Sequence, residues 1–260
     1  MSRSAGSKDF WLTALRAEGS AFLAAVGQDG VLTRPVPSCP GWTIGELSRH
    51  LGMVHRSIRT HAGNGNAHQP WLAIPDDAPA ADDPRIVTWF QSEFSQLDTL
   101  LDALDADSPT WTWAPQNRTA AFWFRRMAHE TTVHRWDAQA AIGVPEPLER
   151  RLAGDTVAEV LDTMVPAGRR RHTADVAGIV HLSATDLGQV WTLRLRGQRI
   201  DLVDTNLPPD GDARPACAAA SDAAASGTAS DLALTLWGRV SFDVLEVAGD
   251  LALLEALRVG

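Results

Sequence analysis

The sequence predicts an α+β chain of two domains, a four-helix bundle over residues 1–145 and a small α+β domain over residues 146–260. Three observations carry this expectation. Up to about residue 145, apolar residues recur at spacings of three and four, the period of helices with one buried face. Beyond Gly143-Val144-Pro145, short runs rich in β-formers enter, first Gly178 to Ser183 and then Val190 to Leu195. A chain of 260 residues with 45% hydrophobic content is also long and apolar enough for two packed cores.

The elements follow in order. The first helix runs from Phe10 to Val26 on Leu12, Leu15, Phe22 and Val26, with Gly19 interrupting the stripe. Three prolines in Pro35-Val36-Pro37-Ser38-Cys39-Pro40-Gly41-Trp42 exclude regular helix and predict a rigid loop. Thr43-Ile44-Gly45-Glu46 matches a capping box, in which hydroxyl and carboxylate satisfy the first free amides of a helix. That helix reaches about Thr60 on Leu47, Leu51, Val54 and Ile58, and a Gly-, Asn-, Pro- and Asp-rich loop covers Gly63 to Asp83. Ile86, Phe90, Phe94, Leu97, Leu101 and Leu104 mark the third helix, and Thr119 to Ile142 is the fourth. Four such helices pack most economically as a bundle. In the second half, Glu146 to Val165 reads as helix, and Arg196-Gly197 turns the second strand into Gln198 to Val203. Cys217 to Ala220 reads as a further strand, Asp231 to Trp237 as a helix opened by Ser230, and Leu251 to Leu257 as a last helix.

Composition narrows the function. Lys+Arg 23 against Asp+Glu 32 leaves a net charge of −9, which argues against nucleic acid or an anionic membrane as partner. No run approaches the roughly 18 apolar residues of a membrane span, and Met1 to Asp9 carries no apolar signal core. The two cysteines, Cys39 and Cys217, imply no disulfide framework, so a reducing cytoplasm is the expected location. Lys8 is the only lysine, and ten tryptophans stand against no tyrosine.

Chemistry concentrates in Arg125-Arg126-Met127-Ala128-His129-Glu130-Thr131-Thr132-Val133-His134-Arg135-Trp136-Asp137. Glu130 and His134 are four residues apart and share a helix face with Trp123, Met127, Thr131, Ala138 and Ala141, an inward stripe. An inward carboxylate and imidazole need partners, because burying unpaired charge costs several kcal/mol or more. His50 lies among the core positions of the second helix. Together, His50, Glu130 and His134 make a two-histidine, one-carboxylate set that suits zinc or another borderline divalent ion and leaves coordination positions open. A second reading stays open. Glu130 can pair with His134 or with Arg126 across one turn, and His50 can be a core histidine bonded to a carbonyl. His55, His61 and His68 fit the set less well, the last two lying at or beyond the helix end. His129 points away from it, as a structural or supporting residue. Cys39 is either a nucleophile near a helix start or a small buried hydrophobe. No phosphate-binding glycine loop or Gly-x-Ser-x-Gly elbow is present.

Two segments, Pro37-Ser38-Cys39-Pro40-Gly41-Trp42-Thr43 with Leu47-Ser48-Arg49-His50-Leu51, and Arg125 to Asp137, resemble the mycothiol-dependent maleylpyruvate isomerases of the DinB-like metalloenzyme superfamily. Ala225-Ser226-Gly227-Thr228-Ala229-Ser230-Asp231-Leu232, Leu236-Trp237-Gly238-Arg239 and Val247-Ala248-Gly249-Asp250 resemble that family's C-terminal domain, which is similar to sterol carrier proteins. The resemblance implies a DinB-like bundle with metal ligands at His50, Glu130 and His134, a catalytic arginine at Arg239, and mycothiol as thiol cosubstrate. A metal-activated thiolate would add to an activated cis double bond of a small unsaturated acid, permit rotation, and leave. Arg239 would hold a carboxylate or an enolate oxygen, or else serve as a helix-terminal arginine in an ion pair. The same thiolate attacking an electrophile would make an S-transferase, and a non-catalytic thiol- or metal-binding protein is a third possibility.

Overall fold

Among the described residues, four α-helices build the first unit, Gly6–Glu146. Helix α1 (Lys8–Val26) starts two residues before the expected Phe10 because Ser7 caps it, its hydroxyl accepting the Phe10 amide at 3.2 Å. Gly19 does not interrupt α1. A Cβ at this position would stand 2.3 Å from the Phe94 ring, so the glycine is what lets that ring reach the helix backbone. Helix α2 (Ile44–Gly63) opens with the capping box. The Thr43 amide donates to Glu46 Oε2 at 2.6 Å, and the Glu46 amide to Thr43 Oγ1 at 3.3 Å. It continues past Thr60, so His61 is helical and buried against Trp111. Helix α3 (Arg85–Ala103) ends on the ammonium of Lys8, which donates to the carbonyls of Asp102 and Leu104 at 2.6 and 2.7 Å.

Helix α4 (Ala120–Ile142) departs from the amphipathic expectation. Besides Trp123, Met127, Thr131 and Ala138, it buries Phe124, Ala128, His129, Val133, Arg135 and Asp137, so nearly its whole circumference is covered. It packs against α1, α2 and α3 and is the central helix of this unit. Gly143, in the left-handed region at φ 84°, stops it. The Gly143 and Val144 amides return to the carbonyls of Ala140 and Gln139 at 3.1 and 3.0 Å. The core joins Phe22 of α1, Leu47 and Leu51 of α2, Phe90 of α3 and Ala138 of α4, with the Phe22 and Phe90 rings 4.8 Å apart.

The computed structural model describes residues 6–68, 72–114, 118–170, 175–197, 199–206 and 221–259. The second unit begins at Pro147. Its first helix, α5 (Arg150–Glu159), starts four residues later than expected, at a cap where Glu149 Oε2 accepts the Leu152 amide at 2.8 Å. The chain then widens into a π-helical turn, Val160–Met164. The sheet comprises β1 (Ala177–Ala184), β2 (Gln189–Arg196), β3 (Arg199–Asn206), β4 (Ala223–Gly227) and β5 (Glu246–Gly249), in the order β3-β2-β1-β4-β5. β1 and β4 run parallel and the other neighbours antiparallel. Alternation buries Val180, Leu182 and Ala184 of β1 and Trp191, Leu193 and Leu195 of β2. Helix α6 (Ala229–Leu236) is capped by Thr228 rather than Ser230; the Ser230 hydroxyl accepts the Leu148 amide instead, at 3.0 Å. The last helix, α7 (Leu251–Glu255), is shorter than expected. The strand expected at Cys217 to Ala220 lies outside the described residues. No helix among the described residues is long and apolar enough to cross a membrane.

His55 of α2 is fully enclosed beside the Phe90 and Phe94 rings, with centroids at 5.5 and 5.7 Å and Nε2 3.3 Å from Thr131 Oγ1. Burial, opposed by the charge of Glu130, pushes its imidazole down from 6.5 to about 3. The unfolded chain therefore binds a proton near pH 6.5 that the folded chain refuses. The contribution of His55 is full above about pH 6.5 and declines as pH falls towards 3. Urea unfolding of wild type and His55→Gln between pH 7 and 4.5 is expected to differ in slope by about one proton. Identical slopes would mean that His55 is not the group responsible.

Candidate metal centre

Helices α2 and α4 bring His50, Glu130 and His134 together. Their ligating atoms all lie within 4.8 Å of one another. Glu130 Oε1 is 3.6 Å from His50 Nε2 and 3.3 Å from His134 Nε2, and the two imidazole rings meet edge to face at 5.2 Å. Glu130 and His134 face the same way because they are one turn apart on α4. His50 reaches them from α2, which is fixed at its start by the capping box.

The carboxylate of Glu130 is divided between two kinds of partner. Oε2 is paired with the guanidinium of Arg126, one turn earlier and nearly buried, while Oε1 faces the two imidazoles. Burial alone would push this carboxyl up; the charge of Arg126, followed by hydrogen bonds from His134 and His50, outweighs it and holds the group well below the usual carboxylate range. His134 experiences the opposite balance. Burial would lower its pKa, but the bond to Asp137 and then that to Glu130 raise it above the ordinary imidazole value. The ion pairs weighed from the sequence are therefore both present, within the same cluster as the third residue.

The donor set fits a divalent cation. Ligands about 2.1 Å from a shared tetrahedral ion stand roughly 3.4 Å apart, close to the 3.3 and 3.6 Å from Glu130 Oε1 to the two imidazoles, within a set whose ligating atoms span up to 4.8 Å. His134 Nδ1 is already taken, 2.9 Å from Asp137 Oδ2, which leaves Nε2 for the cluster. Two imidazoles and one carboxylate match zinc chemistry and leave a position for a further ligand.

The other residues singled out from the sequence fall elsewhere or play other parts. His50 is more exposed than its place on the core stripe implied, its side chain 37% accessible against 9% for His134. The Trp42 ring packs on it at 4.8 Å. His55 and His61 are buried outside the cluster, and His68 lies in the following loop, beside Arg118. His129 is buried within α4. Cys39 is half-buried with Sγ 3.7 Å from Asp137 Oδ2. Arg239 belongs to the second unit, just past α6. Its Nη1 donates to the Trp237 carbonyl at 2.8 Å, and its guanidinium lies 5.8 Å from the Trp237 ring centroid. Asp137 was not singled out from the sequence, although its i,i+3 spacing from His134 was a legible signal. Ser38, which bonds it, is 99 residues away in sequence and gave no such signal.

Residues 12–139 match the family described as the mycothiol maleylpyruvate isomerase N-terminal domain, and residues 151–256 match the MDMPI C-terminal domain. Among solved structures, the chain is similar to that of the mycothiol-dependent maleylpyruvate isomerase, with a TM-score of 0.55, and to that of its histidine-to-alanine mutant, with 0.59. Each is 13% identical over 95% of this chain and 96% of the other, a likeness of fold. No curated protein sequence matches the chain.

Purified protein reconstituted with zinc is expected to retain about one ion per chain by elemental mass spectrometry, and Glu130→Gln to lose it. Apparent affinity is expected to fall as pH drops, beginning above the ordinary imidazole pKa, because the ion must displace the proton that Asp137 and Glu130 stabilise on His134. A full equivalent retained by Glu130→Gln would remove Glu130 from the ligand set.

Proposed function

The chain belongs to the mycothiol-dependent maleylpyruvate isomerase family, and on that premise we propose that it is a metal-dependent, mycothiol-using isomerase of a small unsaturated acid. The observation that carries this reading is the convergence of His50 Nε2, Glu130 Oε1 and His134 Nε2 inside a domain that the family describes. These three would hold a divalent ion, zinc by donor chemistry, which when bound lowers the pKa of a thiol at its open position. Mycothiol would supply the sulfur that adds to the activated cis double bond and leaves after rotation.

The chain's own residues shape the site around that chemistry. Arg126 holds Glu130 Oε2, so that Oε1 is the oxygen turned to the imidazoles. Asp137 at Nδ1 keeps the His134 ring directed by its other nitrogen. Trp42 forms an apolar wall against His50, the most exposed member of the cluster. For Arg239, which belongs to the second unit, the resemblance implies a role in holding a substrate carboxylate or enolate oxygen, and a guanidinium is chemically suited to either. The cytoplasm, where a small thiol stays reduced, suits this chemistry.

The test is zinc-loaded protein with mycothiol and maleylpyruvate, following substrate, product and free thiol together. The trans isomer should form only with the thiol present, and the thiol should be recovered. Arg239→Ala is expected to lower kcat/KM by about 10²-fold without releasing zinc. Thiol consumed mole for mole with substrate would instead identify an S-transferase. Zinc binding without any thiol-dependent turnover would leave a binding protein.

A further inference from the structure

A single proline-rich loop touches the surroundings of both imidazoles in the cluster. Its backbone is closed by three hydrogen bonds: the Val36 amide to the Trp42 carbonyl at 2.8 Å, the Cys39 amide to the Val36 carbonyl at 3.1 Å, and the Trp42 amide to the Cys39 carbonyl at 3.0 Å. Pro37 and Pro40 stiffen it further. From this frame Ser38 Oγ donates to Asp137 Oδ1 at 2.5 Å, and Cys39 Sγ stands 3.7 Å from Oδ2. The same Oδ2 lies 2.9 Å from His134 Nδ1. Two residues further along the loop from Pro40, the Trp42 ring packs on His50.

We propose that Ser38 and Asp137 are positioning residues, a hydrogen-bonded chain that fixes the ring of His134 with Nε2 presented to Glu130 and His50. The proposal rests on the metal-site reading above and deepens it. Asp137 is wholly buried, so its carboxylate takes its place only where protein groups replace water. Ser38 occupies one oxygen and sets the rotation of the carboxylate, which turns the other oxygen onto Nδ1. A proton held at Nδ1 leaves the Nε2 lone pair free for an ion in the neutral ring, and the bond prevents the ring from turning about its Cβ–Cγ axis. The loop thus acts on His134 through Ser38 and Asp137, and on His50 through Trp42. This explains why a segment with no ligand of its own is built so rigidly beside the cluster.

The test compares wild type with Asp137→Asn, Ser38→Ala and Ser38→Thr, each checked for unchanged helical circular dichroism. Zinc affinity is measured by competition with a chromogenic chelator. In parallel, the ring Nδ1–H of His134 is followed by ¹⁵N-resolved NMR in metal-free protein. Asp137→Asn, which preserves shape, is expected to weaken zinc binding about 10- to 100-fold and to abolish the exchange-protected Nδ1–H signal. Ser38→Ala should weaken binding by a smaller factor and speed exchange of that proton; Ser38→Thr, which keeps the hydroxyl, should restore both. Should Asp137→Asn fail to fold, the two Ser38 variants decide by the same readouts. Wild-type zinc affinity in folded Asp137→Asn, or in Ser38→Ala with unchanged proton exchange, overturns the positioning role. A wild type that binds no zinc but shows the protected proton overturns the metal reading itself.

Discussion

The first unit is organised by the need to place the carboxylate of Glu130 inside a helical bundle. A buried carboxylate without partners would cost several kcal/mol, so its two oxygens must be matched by cations or donors held on rigid elements. Arg126 meets one oxygen from the same helix. The second faces His134, also on α4, and His50, which only α2 can supply. The placement of α2 against α4 is therefore tied to this one group. The capping box at Thr43 and Glu46 fixes where α2 begins, at Ile44, and hence where His50 stands, about 1.7 turns later.

The same constraint extends along α4. A helix covered on almost every side cannot leave its polar residues to water, and each described partner comes from a defined direction. Arg135 bonds Glu18 of α1 at 2.6 Å and the Glu146 carbonyl at 2.7 Å, while Gln139 holds the Glu146 amide at 3.0 Å. Asp137 takes Ser38 from the loop before α2. Such pairs contribute little net stability compared with apolar replacements. Their geometry, however, permits few rotations of α4 about its axis, and a rotation of one residue would move Glu130 and His134 out of the cluster by about 100°. The polar pattern thus sets the register of the central helix, and the register places the ligating atoms.

What the sequence disclosed follows from how local each signal was. The Glu130–His134 pair and the capping box are spacings of three and four within one helix, and both are legible without tertiary knowledge. His50 was legible less directly, through its place among Leu47 and Leu51. The all-round burial of α4 was hidden because its covered faces carry Arg135 and Asp137, residue types that are mostly exposed. Two short strands, β4 and β5, escaped because Ala223 to Gly227 is composed of small residues without β-branching, and β5 has four residues. Ser38 escaped for a different reason: its only described side-chain bond joins positions 99 residues apart.

The exposures within the cluster run in one direction, from His50 at 37% through Glu130 at 16% to His134 at 9%. Supporting bonds run the opposite way. The two less exposed members are each held by a charged neighbour, Arg126 or Asp137, whereas His50 rests on the face of an aromatic ring. Charge-assisted bonds hold a side chain to a narrow geometry; ring packing fixes its plane more loosely. The inner end of the cluster is consequently set by electrostatics, and the outer end keeps some freedom where solvent reaches it. A site of the kind proposed above, which would hold an ion firmly and still admit a further ligand, would need both properties. Here they are divided between two helices, with the rigid part on α4 and the adaptable part on α2.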